Sequence, residues 1–453
     1  MNYSLKEIAD IIGGKLIGNE DVVVKGIAYD SRLIKEDQIF APFVGEKTDG
    51  HKYVAELFSK GIKASFWQQD CALEMPKGNL IVVDDVLSAI QLLAEKYRNS
   101  LKTPFIGITG SSGKTSTKDI IASTLSAKYK VYKTIGNHNN KLGVPMTLLN
   151  MDDTSEVAVI EMGIDDIGIM DQLVKMVKPD YTVITSIAPA HISQFKTIDK
   201  IVEQKCLINK YLPKDGCCFF NHSCYGVEKY LKQMNLQDRM KSFGFDDECD
   251  LSATDFKLEG KYSYFKVKQY GDFQFKIPIL GKHQVGNALS AILIGQKFSM
   301  TAEEIQNGFD KIKLTPRRME LKEIKGNLII DDSYNSNPVS LVTSLDCFAQ
   351  YDKKYHKIVV IGDMLELGIN SAKLHKEIAD KVDFSQFDKI YLIGNEMKNL
   401  SEGLNEKKID NYHFDNWNNC LELIKNELRK DNIIFFKASN GMDFSGLIAT
   451  LED

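Results

Sequence analysis

The chain has 453 residues, 43% hydrophobic and 26% charged, with a formal net charge of −5 at pH 7. That length calls for two to four domains, and the charge gives no basic footprint for nucleic acid. No apolar run nears the ~18 residues that cross a bilayer, and the eight cysteines include no CxxC pair, which argues against a disulfide framework and a zinc site.

The N-terminal stretch "MNYSLKEIADIIGGK" sets Leu5, Ile8 and Ile12 at helical spacing, with Ile11 beside them. It lacks the basic head and apolar run of a signal peptide, so a cytoplasmic location is expected. "VVVKGIAYDS", "QIFAPF" and "ASFWQQ" read as strands separated by turns. "DDVLSAIQLLAEKYRN" reads as a capped amphipathic helix with Leu87, Ile90, Leu93 and Tyr97 on one side. The apolar runs "PFIGIT", "VAVIEM", "YTVITSI" and "GCCFFN" then alternate with helical patterns, which predicts a parallel, helix-covered sheet. Cys217, Cys218 and Cys224 fall here and read as reduced, mostly buried thiols. Between 250 and 280 the texture changes to alternating strands, "YSYFKVKQY" and "FQFKIPI", as in an antiparallel appendage. From about 315, "NLIIDD", "KIVVIGD", "KIYLIGN" and "NIIFFKA" are β-runs each followed by a plausible helix, a second α/β sheet. The expected fold is α/β in three domains, 1–82, 83–314 and 315–453.

"GITGSSGKTSTKD", residues 107–119, joins a β-run to a helical pattern through a glycine-rich turn. The common phosphate loop has four residues between its first glycine and its Gly-Lys pair. Here Gly107, Gly110 and Gly113 leave gaps of five and two. Glycine lets the backbone approach an anion, and the N–H groups opening a helix point at it. Gly110, Ser111, Ser112, Gly113, Lys114, Thr115 and Ser116 are therefore candidate ATP ligands. Lys114 would reach the β/γ-phosphates and the Thr115 hydroxyl would suit Mg²⁺; the alternative is a Gly/Ser turn before a helix. "VAVIEMGI" puts Glu161 at the C-terminal end of a buried run, where open α/β sheets keep their sites. It reads as a Mg²⁺ ligand or as a capping or surface acid. His191 follows the next strand and is open to a structural or a functional reading. Lys205 lies in the helical pattern of Ile201, Val202, Leu207 and Ile208, and its residue type alone reads as a solvated helix lysine.

"TGSSGKTSTK" resembles the Thr-Gly-x-x-Gly-Lys-Thr loop of the Mur ligase and folylpolyglutamate synthetase superfamily, ATP-dependent ligases that form amides. The resemblance runs the length of the chain. It implies a small UDP-binding domain, a central P-loop ATPase domain and a C-terminal Rossmann-like domain. "AYDSR…QIFAPFVGEKTDGHKY" resembles the uridine-nucleotide-binding domain, which would place Asp30, Ser31, Arg32, Asp49, Gly50 and His51 around the UDP-sugar; turn chemistry alone also accounts for Asp-Ser and Thr-Asp-Gly. "GNHNNKLGVPMTLL" resembles the asparagine loop of the branch that adds D-alanyl-D-alanine to a UDP-linked muramoyl tripeptide, with Asn137, Asn139 and Asn140 as neutral amides for the substrate. "QKCLI" resembles the segment whose lysine is carbamoylated by CO₂, so Lys205 would become an anionic ligand near a second Mg²⁺, with His191 beside it. In "TPRRMEL" and "DDSYNSNPVSL", Arg318 matches the arginine that reaches the γ-phosphate, and Asp332 and Asn335 match positions near ribose and adenine. Asp363 and Glu366 of "GDMLELG" would organise their loop. "GKHQVGNALSAIL", with His283 and Asn287, matches the segment joining the central and third domains.

By that resemblance the catalytic set is Lys114, His191, Lys205 and Arg318, and the metal set is Thr115, Glu161, His191 and Lys205. The cofactors are ATP and two Mg²⁺; the substrates are UDP-N-acetylmuramoyl-tripeptide and D-alanyl-D-alanine, handled by a monomer with no nucleic-acid or membrane partner. Four places depart from the family pattern. Ser186 stands for a usual asparagine, "IAPAH" with Pro189 replaces a turn richer in glycine or acid, Leu207 follows where a glutamate is common, and "KASNGMDF" puts Ala438 and Asn440 where glycine and arginine are usual. These keep open a sister ligase with another amino substrate. A nucleotide-binding module without ligase activity would be expected to lose Glu161, His191 or Lys205, and all three are present.

Overall fold

The computed structural model describes residues 1–45, 48–189 and 192–452. The N-terminal part is built on a five-stranded sheet, in spatial order Lys15–Ile17, Leu80–Val83, Ala64–Gln68, Ile39–Phe40 and Ile27–Ala28. Its first pair is antiparallel and the others parallel. The helix Leu5–Ile12 starts at Ser4 in a capping box with Glu7, which satisfies two backbone donors that the first turn leaves unpaired. The helix Val86–Ser100 begins at Asp85, whose carboxylate accepts from Ser88 N. Its buried side is Val86, Ile90, Leu93 and Tyr97. Leu87, expected on that side, is only half-buried, because the stripe starts one residue earlier, at the first residue after the cap.

A nine-stranded sheet forms the centre. Val131–Lys133, Val157–Glu161, Phe105–Thr109, Tyr181–Ile184, Cys217–Asn221, Met240–Gly244 and Leu251–Glu259 lie side by side in that order. All of these neighbours pair in parallel. Tyr262–Val267 and Gln274–Ile277 then extend the edge antiparallel, as the change of texture near 250–280 leads one to expect. Helices Lys114–Leu125, Lys282–Lys297 and Ala302–Phe309 cover one face, packing on Ile106, Ile108 and Val159. Helices Val86–Ser100, Gly143–Leu149 and Ile169–Val177 cover the other, over Phe105, Ala158 and Ile160. Burial on both faces is why these strands read as continuous apolar runs.

The C-terminal sheet has the order Glu320–Ile324, Asn327–Asp331, Asn432–Lys437, His356–Gly362, Lys389–Ile393 and Tyr412–Phe414. Its first two strands form a hairpin and the rest are parallel. The eight cysteines are all free thiols, six of them buried. No helix among the described residues is long and apolar enough to cross a membrane.

Candidate active site

Phe105–Thr109 is the strand at which the central sheet changes direction: the chain leaves it toward Val131–Lys133 on one side and later returns to Tyr181–Ile184 on the other. A crevice opens at the carboxyl end of such a strand, and the glycine-rich loop fills it. Gly110 passes so close to the next strand that a Cβ would lie 2.0 Å from Thr185 Oγ1. Gly113 caps the helix Lys114–Leu125 at φ +82, a left-handed conformation that favours glycine. The loop is gripped from the end of Tyr181–Ile184. Ser111 N donates to Ser186 O (2.9 Å), and Ser112 N donates to Ser186 Oγ (2.8 Å). Ser186 Oγ also reaches Ser112 O (3.0 Å), and Thr185 Oγ1 donates to the same carbonyl (2.5 Å). The departure at Ser186 therefore sits where a short hydroxyl clasps both the N–H and the C=O of Ser112.

Two lysines converge on one carbonyl. Lys114 Nζ donates to Gly110 O at 2.8 Å and Lys205 Nζ donates to it at 3.1 Å. Lys205 is 3% exposed, so it is not a solvated helix lysine. Burial holds its amine well below the usual lysine range, and the neighbouring Lys114 ammonium pushes the same way. Burial also lowers Lys114, which Glu161 partly offsets and Arg318 reinforces.

Glu161 ends the strand Val157–Glu161 and is 1% exposed. Its Oε1 accepts from Thr115 Oγ1 (3.2 Å) and Asn139 Nδ2 (2.6 Å). Its Oε2 is buried with no hydrogen-bond partner, the Lys118 ammonium standing 3.9 Å away. An orphaned carboxylate oxygen beside a threonine hydroxyl fits a hard divalent cation, which takes oxygen ligands. Lys205 as it stands donates a hydrogen bond and cannot ligate a metal. His191 lies outside the described residues.

The C-terminal domain reaches into this crevice. Arg318 NH2 donates to Thr115 Oγ1 at 3.2 Å, and its guanidinium lies 4.1 Å from the Tyr334 ring centroid. Asn337 Nδ2 donates to Ser112 Oγ at 3.2 Å. The strand, loop and domain contacts thus bring together Gly110–Ser116, Glu161, Asn139, Lys205 and Arg318.

Other expected site residues have different surroundings. Asp332 is committed inside its own domain, its oxygens taking Met319 N (3.1 Å), Ser344 Oγ (2.7 Å) and Lys437 Nζ (2.6 Å). Asn335 is exposed, its Oδ1 accepting from Ser336 N at 2.9 Å. Asn140 Oδ1 takes the N–H groups of Leu142 and Gly143 at the start of the helix Gly143–Leu149. Asn137 is exposed, and its carbonyl accepts from Asn139 N. In the N-terminal domain Asp30 and Arg32 form a surface pair at 2.6 Å, with Ser31 between them. Gly50 opens a helical turn capped by Asp49. His51 is buried, with Nδ1 on Asp49 Oδ1 (2.6 Å) and Nε2 accepting from Gln68 N (3.1 Å). Asp363 holds its loop, taking Met397 N on its side chain and Ser439 N on its carbonyl.

Sequence reasoning missed Lys118, which is fully buried and donates to Gly136 O (2.9 Å) below Glu161. A usable signal was its place one turn after Lys114, just ahead of Asp119, Ile120 and Ile121 on a helix with no solvent stripe. It also missed Asn150, which joins the N-terminal domain to the asparagine loop's helix. Its Oδ1 accepts from Ile27 N and Gln38 Nε2 (both 3.0 Å), and its Nδ2 donates to Ile27 O (2.9 Å).

Comparison with known proteins matches residues 23–98 to the Mur ligase family catalytic domain, 108–295 to the Mur ligase middle domain and 317–440 to the Mur ligase glutamate ligase domain. The UDP-N-acetylmuramoyl-tripeptide–D-alanyl-D-alanine ligase of Bacillus subtilis is 34% identical over 99% of this chain and 98% of its own length. The crystal structure of MurF from Acinetobacter baumannii superposes with a TM-score of 0.89 at 26% identity, over 100% of this chain and 99% of that one. The MurF ligase of Thermotoga maritima in complex with ADP shares the fold, with a TM-score of 0.80 at 24% identity over 95% of this chain and 97% of that one.

Proposed function

The chain belongs to the Mur ligase family, and from that premise we propose that it is the ATP-dependent ligase that joins D-alanyl-D-alanine to UDP-N-acetylmuramoyl-tripeptide. One observation carries the reading: an orphaned carboxylate oxygen and three basic side chains meet at the phosphate loop, one of them coming from the C-terminal domain. A phosphoryl transfer to a carboxylate brings several negative charges together, and alignment with charge neutralisation is most of its catalysis.

The tripeptide carboxylate attacks the γ-phosphorus of ATP, the bond to the ADP oxygen breaks, and an acyl phosphate forms. The amine of D-alanyl-D-alanine then attacks the acyl carbon; the C–O bond breaks, phosphate leaves and the nitrogen loses a proton. Gly110, Ser111, Ser112, Gly113 and Ser116 line the loop that receives the phosphates, and the first N–H groups of the helix Lys114–Leu125 have no partner within it. Lys114 and Arg318 offset the charge that builds on the transferring group. Thr115 and Glu161 would hold a Mg²⁺ ion, with His191 and a carbamoylated Lys205 for a second. When bound, the ions screen the oxygens of the triphosphate and the incoming carboxylate. The depressed basicity of Lys205 supports the carbamate: a neutral amine adds to CO₂ with loss of a proton, and a neutral side chain becomes an anion. Asn335 is exposed and would meet the nucleoside, and Asp332 steadies that segment through Lys437. Asp30, Ser31, Arg32, Asp49, Gly50 and His51 would shape the UDP-sugar pocket, the last as a buried brace. Asn139 turns toward Glu161, leaving Asn137 the freer amide for the peptide stem.

We propose that it works as a monomer. Soluble nucleotide substrates and the absence of a basic footprint support a cytoplasmic enzyme with no nucleic-acid or membrane partner. The test is phosphate release from ATP with UDP-N-acetylmuramoyl-tripeptide, with and without D-alanyl-D-alanine, beside mass detection of the UDP-pentapeptide. Release that needs both, with that product, is expected. ATP hydrolysis without it overturns the assignment.

A further inference from the structure

Asp119 lies one turn beyond Thr115 in the helix Lys114–Leu125 and is 1% exposed. Its two oxygens serve different partners. Oδ1 accepts from Lys133 Nζ at 2.6 Å, with Lys118 Nζ at 3.6 Å. Oδ2 accepts from both the backbone N–H (2.7 Å) and the hydroxyl (2.8 Å) of Thr315, 196 residues away. Thr315 stands at the entrance to the C-terminal domain, three residues before Arg318. The residues just after it belong to that domain: Arg317 N donates to Glu320 Oε2 (2.9 Å), Arg317 O accepts from Tyr334 N (3.1 Å), and Met319 N donates to Asp332 Oδ1 (3.1 Å). Pro316 separates the two sets of anchors and, having no N–H, adds no backbone donor to either. The joint between the domains is thus one residue long, and its central-domain end is pinned to the helix that carries Thr115.

We propose that Asp119 is a positioning residue: by holding Thr315 it fixes the fulcrum of the C-terminal domain to the phosphate-loop helix, so that closure delivers Arg318 to the Thr115 end of that helix. The inference rests on the ATP site assigned above. Without the pin, the segment before Pro316 gains freedom, and Arg318 must find the phosphates from a wider set of domain orientations. Nucleotide binding to the loop itself does not pass through Thr315 and is left intact.

Thr315→Val removes the hydroxyl while keeping the backbone N–H, and Thr315→Ser keeps both. The loss of one hydrogen bond to a carboxylate predicts a fall of roughly tenfold in kcat for Thr315→Val, ~1.4 kcal/mol, with the Kd of a non-hydrolysable ATP analogue within about twofold of the parent. Small-angle scattering with that analogue and UDP-N-acetylmuramoyl-tripeptide should show less compaction than the parent, and Thr315→Ser should restore both kcat and compaction. Asp119→Asn should move the same readouts further. Unchanged kcat and compaction in Thr315→Val would overturn the proposal, as would loss of analogue binding in step with kcat, which would mean a defect of the phosphate-loop helix alone. If the parent forms no UDP-pentapeptide, the ligase assignment fails by itself, and analogue binding and scattering still decide the hinge.

Discussion

Removing the Arg318 guanidinium separates charge placement from nucleotide binding. Its NH2 group donates to Thr115 Oγ1, its plane lies over Tyr334, and its Nε is buried without a partner. Arg318→Ala should leave the fold standing, because what the folded state loses is one cation–π contact of ~1 kcal/mol and one hydrogen bond to a hydroxyl. The kinetic loss should be larger. A fixed cation that faces a transferring phosphoryl group is worth about 10³-fold or more in kcat, ~4 kcal/mol, and the unpartnered Nε is a donor still free to take a phosphate oxygen. Steady-state kinetics of phosphate release should therefore show kcat down about a thousandfold, with the Kd for an ATP analogue changed by no more than a few fold. Arg318→Lys should recover only about tenfold of that loss, since a lysine keeps the charge and not the fork of donors. A fall of less than tenfold in kcat, or a loss of analogue affinity equal to the loss of kcat, would refute the placement of Arg318 on the transferring group.

Three further outcomes follow from single side chains. Lys205→Met should raise the melting temperature of the protein in bicarbonate-free buffer while abolishing activity, since a buried amine is replaced by a similar apolar volume, worth roughly 1–4 kcal/mol. The native amine titrates below its unfolded value, so the unfolded chain binds more protons in between, and stability of the parent rises with pH through that window. The advantage of Lys205→Met should accordingly be greatest near neutrality and shrink as pH approaches the ordinary lysine range, and a constant difference across pH would contradict it. Asn150→Ala should cost about 1–3 kcal/mol in denaturant titration and raise KM for the UDP-substrate with KM for ATP unchanged, because Ile27 N–H and C=O lose their partner between the two domains. Burial pushes the His283 imidazole down to about 4; it stays neutral in the native state while the unfolded chain takes up a proton, so stability falls as pH drops from about 6.5 toward 4. His283→Gln should flatten that acid limb in melting curves taken at each pH.

Legibility in the sequence followed the range of the interactions. The phosphate loop was readable because strand, glycine turn and Gly-Lys-Thr are contiguous, and each residue does its work within one helical turn. Glu161 was readable because an acid closing a four-residue apolar run, Val157 to Ile160, has few places to go but the end of a buried strand. The strands Val131–Lys133 and Met240–Gly244 were not, since one is a half-buried edge and the other, "MKSFG", has no apolar run to betray it. The Asp119–Thr315 pair joins positions 196 apart, and nothing local in either segment marks the other. Lys118 fails differently. A helix lysine reads as solvated by default, and the groups that surround this one, Gly136 O and the Glu161 carboxylate, come from segments 18 or more residues away. His51 shows another limit: the turn chemistry of Thr-Asp-Gly is legible, but not that the ring is buried against its own turn with both nitrogens engaged.

The departures from the family pattern divide by what their side chains touch. At Ser186 the shorter residue still meets the demand of the position, because one hydroxyl accepts from Ser112 N and donates to Ser112 O; the loop it holds carries no information about the amino substrate. At Asn440 the situation is different. Its Oδ1 accepts from Arg317 NH2 at 3.1 Å, and Arg317 stands at φ +63 with its guanidinium 5.4 Å from the Tyr334 ring centroid, next to Arg318 on the same ring. A cation is thus present on this surface even though position 440 is neutral, and it is supplied by the segment that also carries Arg318. An asparagine can orient that guanidinium, where an arginine at 440 would repel it. Asn440 thus orients the Arg317 guanidinium beside Arg318 on the Tyr334 ring at the domain joint.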